Sequence, residues 1–488
     1  MPTPTPSPSR SGRALALLCV IYFMVILDAA IVRLAIPPIQ RDLGLSPAAE
    51  TWVANAYMLT FGALLLLGGR FADLLGRRRL LLTGVSLFTV GSVLCGLAAS
   101  SAVLIGARAV QGLGAAAMTP AALSILMCTF PEGPERNKAI GAWTAAGGIG
   151  ATAAWIIGGP LIDGPGWQWV FWLNVPIGLA IAILAMRLLP ESRDATATRS
   201  FDIPGAASVT AALAVLIYAV VEAPSQGWGS PQILLLFAVS IGLLGSFIVI
   251  ERRASAPLIP RRIARSRPLL AANVGLGGAM ASIYGMCFIL ALYGQQVLGW
   301  SALKLGFAAC VLPLSVAVGA QLGQVLVTRS GPRPVTTAAM AGLAGGLVVL
   351  SGVGVHSDYL GHMLPALLLF GPAFGAAITS YSVTTLSGVA PSDAGLASGL
   401  NNTFECVFGA LGTAIMASVA ATKTTSLLHH GTAALPALNG GFSLAFVVAL
   451  AFPALALLAS LALRRDQSPK TEALPAIESP AALEMGPG

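Results

Sequence analysis

The 488-residue chain is 56% hydrophobic and only 9% charged, with a mean hydropathy of +0.83. Soluble globular domains carry about 25% charged residues, so this composition excludes a soluble fold and marks an all-α polytopic membrane protein. The net charge of +8 does not signal nucleic-acid binding, because the basic residues fall in short clusters between apolar runs.

A Pro/Ser/Thr-rich tail, residues 1–13, precedes the first apolar run. A helix needs about 20 apolar residues to cross a bilayer. Breaking the chain at charged clusters, Pro/Gly turns and polar runs predicts fourteen spans: 14–36, 52–69, 80–99, 102–128, 139–162, 169–189, 204–222, 231–250, 268–292, 302–327, 334–355, 360–386, 395–421 and 439–463. A second polar tail, 464–488, closes the chain. With the N-terminus in the cytoplasm, most basic residues fall on the inner side, as the positive-inside rule requires. Arg33, Arg41, Lys304 and Lys423 fall on the outer side, and Arg108 lies within span four. Both termini are therefore expected in the cytoplasm.

The loop after span two, "GGRFADLLGRRRLLL", has a weaker echo after span ten, "GQVLVTRSGPRPV". The echo predicts a six-span repeat with two inserted spans. The expected units are a bundle at 14–189, a linker with two additional spans at 190–267, and a second bundle at 268–463. The six cysteines sit inside apolar segments and read as small buried hydrophobes. Lysine occurs only at Lys138, Lys304, Lys423 and Lys470. With heavy Ala and Gly usage, this points to a GC-rich bacterial genome and a bacterial cell membrane. The sequence has no GxxxxGK[ST] phosphate loop and no HExxH motif. His356, His362, His429 and His430 are expected in outer loops or their margins. No metal site, cofactor or enzymatic activity is expected.

Several motifs together carry a resemblance. They are "GGRFADLLGRRRLLL", "ETWVANAYML" in span two, "LIGARAVQGLGAAAM" in span four, "WQWVFWLNVPIG" at span six, and "LYGQQVLGWSALKLGF" and "GLASGLNNTF" in the second half. As a set they resemble the fourteen-span drug:proton antiporters of the major facilitator superfamily. The resemblance implies a major facilitator fold, two six-helix bundles plus two inserted helices rocking about a central cavity. It implies a proton-driven exporter of amphipathic, cationic or antibiotic-like small molecules, powered by the proton motive force without a cofactor. A monomer in the lipid bilayer is the default. Uptake or facilitated passage of a specific metabolite is the alternative, and a non-transporting membrane sensor is a third reading.

Gly69, Arg70, Asp73, Gly76, Arg77 and Arg78 match the superfamily's signature loop, which implies a conformational gate. A loop that only sets topology would need the arginines but not Asp73 or the glycines. Family members often carry "LDxTIVNVALP" in span one; here the stretch is "LDAAIVRLAIP", and Asp28 matches. Asp28 and Arg108 fall at similar depth. One reading has Asp28 exchanging protons while Arg108 tunes it; the other is a static pair that fixes packing. Arg33 replaces the usual asparagine. It can snorkel to headgroups, face the exit cavity and repel cations, or compete for Asp28. Glu405 lies near the middle of span thirteen with no counter-ion nearby in sequence. It suits a proton carrier or a cation attractor, or it is a permanently protonated acid bonded to a neighbour.

The family pattern "GxxxGPxxGG" in span five appears here as "GATAAWIIGG", with Ala154-Trp155 in place of Gly-Pro. That opens the transport direction to question and makes Trp155 a candidate pocket residue. A cavity for amphipathic compounds needs aromatic walls and a few polar groups. Asn55, Tyr57, Gln111, Trp155, Asn401 and Phe404 are the substrate-binding candidates, with Asn273, Tyr284, Gln321 and Tyr381 behind them. Each also reads as ordinary interhelical packing.

Overall fold

A computed structural model describes residues 8–130, 134–191, 203–253, 266–387 and 394–461. Every element among them is helical. The helices are numbered by the spans expected from the sequence: one to five correspond to Pro8–Leu43, Pro47–Leu75, Arg77–Gly96, Ser101–Thr129 and Pro134–Asp163. Span six is split into Trp169–Trp172 and Asn174–Leu188, and the inserted pair is Ile203–Gln226 and Pro231–Arg253. Span nine is Arg267–Leu292, span ten Ala302–Ala309 with Val311–Ser330, and span eleven Pro332–Ser351. Span twelve is Leu364–Ser387, span thirteen Ala394–His429, and span fourteen Ala434–Ala449 with Ala451–Leu461. Twelve of these helical segments are long and apolar enough to cross a membrane. Outside that twelve stand spans two and seven, the latter with a shorter apolar stretch, Pro204–Val220. Span thirteen runs eight residues beyond its expected end at 421, and His429 is the last residue of that helix, at the margin of the loop that follows.

Local chemistry sets the helix starts. Ser46, Ser100 and Ser301 each accept a hydrogen bond from the backbone N–H three residues on, at 3.2, 3.4 and 3.2 Å. These caps satisfy orphan donors at the starts of spans two, four and ten. Spans two and three are separated by one residue, Gly76, at φ 105°. Spans ten and eleven are separated by one residue too, Gly331, at φ 82° and ψ 167°. Only glycine adopts such angles without strain. The weak sequence echo is therefore the same single-residue turn used twice. Gly331→Ala is expected to destabilise the chain by about 1–3 kcal/mol, read as a lower melting temperature of the detergent-solubilised protein. An unchanged melting temperature would show that the turn relaxes freely.

The packing pattern repeats as well. Span one packs on span five, span two on four, and span three on four and six. In the second half span nine packs on thirteen, ten on twelve, and eleven on twelve and fourteen. Small residues allow the approach: a Cβ on Gly84 would lie 2.6 Å from the Met118 nitrogen, and one on Gly114 would lie 2.5 Å from the Phe88 nitrogen. Span seven packs against spans two and thirteen, one from each half, and span eight packs on span seven. The Ser240 hydroxyl ties that pair together by donating to the Ala212 carbonyl at 2.9 Å.

Candidate functional site

Asp28 and Arg108 meet. An Arg108 Nη1 lies 2.5 Å from Asp28 Oδ2, and their side chains are 0% and 1% exposed. The other Asp28 oxygen accepts from Gln111 Nε2 at 3.1 Å and from Asn174 Nδ2 at 2.7 Å. Gln111 in turn accepts from Arg108 at 2.9 Å and donates to the Ser92 hydroxyl at 2.8 Å. Arg108 Nε donates to the Val53 carbonyl at 3.2 Å, and its guanidinium lies 4.5 Å from the centre of the Tyr57 ring. Spans one, two, three, four and six thus converge on one salt bridge. A buried charge is tolerable only when its remaining lone pairs and protons are satisfied, and here the carboxylate has three donor groups. Asp28 is anchored inside the first bundle by these contacts.

Glu405 is built differently. It is half-buried on span thirteen, and no hydrogen bond or ion pair joins it to another described residue. Tyr22, Tyr284 and Cys406 are within its electrostatic reach. One turn on, a Cβ at Gly409 would touch the Tyr284 ring at 3.1 Å. Phe404 stacks on Phe408 at 5.8 Å, and Tyr22 stacks on Trp143 at 4.6 Å. The carboxyl sits among aromatic rings contributed by both halves. Arg33 leaves Asp28 to Arg108 and instead lies over Tyr284, 4.4 Å from the ring centre.

The two halves close on each other at the end expected to face outside. Asp163, the last residue of span five, accepts from the backbone N–H groups of Ala302 and Leu303 at 3.2 and 2.8 Å. A carboxylate at a helix N-terminus is favoured by its orphan donors and dipole, so the first half caps a helix of the second. Gln295 donates to the Leu34 carbonyl at 3.0 Å, and Gln296 to Gln40 at 2.9 Å. A Cβ on Gly159 would lie 2.5 Å from the Leu303 backbone, and Gly306 abuts the Trp155 carbonyl. Gly306→Val is expected to wedge this end apart. Spin labels at Arg41 and Lys304 would then show a longer distance distribution than in the parent chain; an identical distribution would show that the contact is dispensable.

The sequence pattern of the Major Facilitator Superfamily matches residues 18–413. The chain belongs to the major facilitator superfamily. It is 36% identical over 433 residues to the puromycin resistance protein pur8 of Streptomyces alboniger, covering 88% of this chain and 86% of that protein. It is 37% identical to the cephamycin export protein CmcT of Amycolatopsis lactamdurans, covering 86% and 88%. The fold is similar to that of a bacterial homologue of the human lysosomal transporter Spinster in an inward-facing, unoccupied conformation. That likeness has a TM-score of 0.68 at 17% identity and covers 94% of this chain and 98% of the other. This superfamily member is a membrane transporter, not an enzyme, and a multi-pass protein of the bacterial cell membrane.

The superfamily's signature loop is partly in view. Arg78 donates from its backbone to Glu191 at 3.2 Å and from its side chain to the Leu189 carbonyl at 3.1 Å. Arg79 lies 3.7 Å from the same carboxylate, and Arg77 reaches the Cys128 sulfur. These arginines brace span three against the ends of spans four and six, inside the first half. The surroundings of Gly69, Arg70 and Asp73 lie outside the described residues.

The substrate candidates divide. Asn401 and Phe404 are half-buried beside Glu405. Gln111 and Tyr57 are consumed by the Asp28–Arg108 network, and Asn55 donates to the Ala410 carbonyl at 3.3 Å, joining spans two and thirteen. Trp155 is 5% exposed in the closed contact between spans five and ten. The glycines retained in span five seat it on span one: a Cβ at Gly150 would lie 2.7 Å from the Phe23 carbonyl, and one at Gly158 would lie 2.9 Å from Ile31. Sequence reading passed over Ser92, Asn174, Asp163, Gln295 and Gln296. The last two stand in the quoted "LYGQQVLGW", and Asn174 in "WQWVFWLNVPIG", so the signal was present without a partner to give it meaning.

Proposed function

We propose that this transporter exports amphipathic, antibiotic-like small molecules in exchange for protons by alternating access, with fourteen spans and both termini in the cytoplasm. The observation that carries the reading is the isolated Glu405 carboxyl, half-buried in mid-span and within electrostatic reach of Tyr22 from the first half and Tyr284 from the second. Low dielectric disfavours an unpaired charge, so such a group alternates between a proton and another cationic partner. Relatives that confer puromycin resistance or export cephamycin support outward movement of small molecules. The Asp28–Arg108 pair is the second charged element, and its opening would accompany the switch between states. The closed contact at Asp163, Gly159 and Gly306 is one of the two ends that alternating access requires; the signature loop stands at the other.

The driving force suffices. A potential near 100 mV supplies about 2.3 kcal/mol per charge, and one pH unit adds about 1.4 kcal/mol. One proton could sustain a gradient of several hundredfold. The test is a pH-sensitive dye in everted vesicles energised to an acidic interior, with puromycin among the added compounds. Substrate-dependent loss of the proton gradient is expected. Uptake of compounds with no accompanying proton movement would overturn the proposal.

A further inference from the structure

Arg33 is half-buried in span one, five residues beyond Asp28. It makes no hydrogen bond and no ion pair with any described residue. Its neighbour Leu34 belongs to the closed contact, where Gln295 donates to its carbonyl at 3.0 Å. Arg33 therefore stands just inside the closed end. Its guanidinium is held 4.4 Å from the centre of the Tyr284 ring, which belongs to the opposite half. Glu405, on span thirteen, lies within electrostatic reach of the same ring. An arginine seeking only relief from lipid would extend toward headgroups. This one is pinned on an aromatic face, with its N–H donors left open.

A guanidinium fork matches a carboxylate in a bidentate, charge-assisted pair, and the match strengthens away from water. The aromatic rings beside it suit the apolar body of a ligand. Relying on the exporter reading above, we propose that Arg33 anchors an acidic group, so that the compounds carried are amphipathic carboxylic acids. The carboxylate pairs with Arg33 and the hydrophobic body lies along Tyr284, Phe404 and Phe408. Glu405 then lies within electrostatic reach of the ring that the bound acid covers. Protonated, it tolerates the anion; ionised, it repels it.

The test uses three probes with one fluorescent body: dansylglycine, its neutral amide, and cationic dansylcadaverine. Binding to the full chain in lipid nanodiscs is read by energy transfer from tryptophan to the dansyl group. The parent chain is expected to bind the acid about tenfold or more tightly than the amide, the scale of one charge-assisted pair. Arg33→Gln should remove that preference, Arg33→Lys should keep part of it, and Tyr284→Phe, which keeps the ring, should keep most. Melting curves confirm that each variant is folded. Equal binding of acid and amide by the parent chain overturns the proposal, as does a preference that survives Arg33→Gln. An Arg33-dependent preference without proton-linked flux of dansylglycine in everted vesicles overturns the exporter reading and leaves this site standing. Proton-linked flux of dansylcadaverine with none of the acid does the reverse.

Discussion

Glu405→Gln is expected to leave the protein inserted and folded while collapsing the substrate gradient it sustains from several hundredfold to about unity, given the driving forces of one proton. Glutamine keeps the shape and neutrality of the protonated acid but cannot release a proton at any pH. Nothing in the described structure depends on the Glu405 charge: no salt bridge or hydrogen bond is lost. Exchange of labelled for unlabelled substrate across the membrane, which needs no net proton movement, should persist. Glu405→Asp keeps an ionisable group and should retain coupling. The measurement is accumulation of a transported compound in everted vesicles, alongside the same compound's counterflow. Undiminished accumulation in Glu405→Gln would remove this carboxyl from the coupling step, and loss of counterflow as well would make it a substrate ligand instead.

The parts of the fold legible in the sequence were those dictated by the bilayer. Charged clusters and turn glycines mark helix ends, so the helix order followed from composition, while twelve of the fourteen expected spans have the length and apolarity to cross a membrane. Gly76 and Gly331 were readable because a one-residue turn between helices leaves little choice of residue. The pairing of Asp28 with Arg108 followed from counting residues to equal depth on antiparallel spans. Its wider network did not. Gln111 and Asn174 lie 83 and 146 positions from Asp28, and a lone amide in a span looks the same whether it packs or pairs. Helix rotation decides that, and periodicity in a membrane helix is weak because lipid and protein interior are both apolar. For the same reason Arg33 could be placed at its depth but not on Tyr284, and Trp155 read as a pocket wall although it seals the contact between the halves. Glu222 accepts from the Trp52 indole at 3.2 Å. Its partner is 170 positions away, beyond any local pattern.

The second large effect concerns stability. Arg108→Met keeps much of the side-chain volume but leaves Asp28 without its charged partner, 0% exposed and facing only the neutral donors Gln111 and Asn174. Breaking a buried pair from one side costs about 3–5 kcal/mol, a large share of the roughly 5–15 kcal/mol that holds a typical protein folded. Poor expression and a sharply lowered melting temperature are expected. Asp28→Asn strands Arg108 against Val53, Gln111 and Tyr57 and should be similarly harmful. The double variant removes both charges, and replacing a buried pair by neutral groups is often close to neutral for stability. Its melting temperature should return toward that of the parent chain, a non-additivity that neither single change predicts. The rescued protein then separates packing from coupling. If the pair takes part in the switch, the double variant is stable but no longer concentrates substrate under a proton gradient. A stable double variant that exports at the parent rate would reduce Asp28 and Arg108 to a clamp, and proton coupling would rest on Glu405 alone.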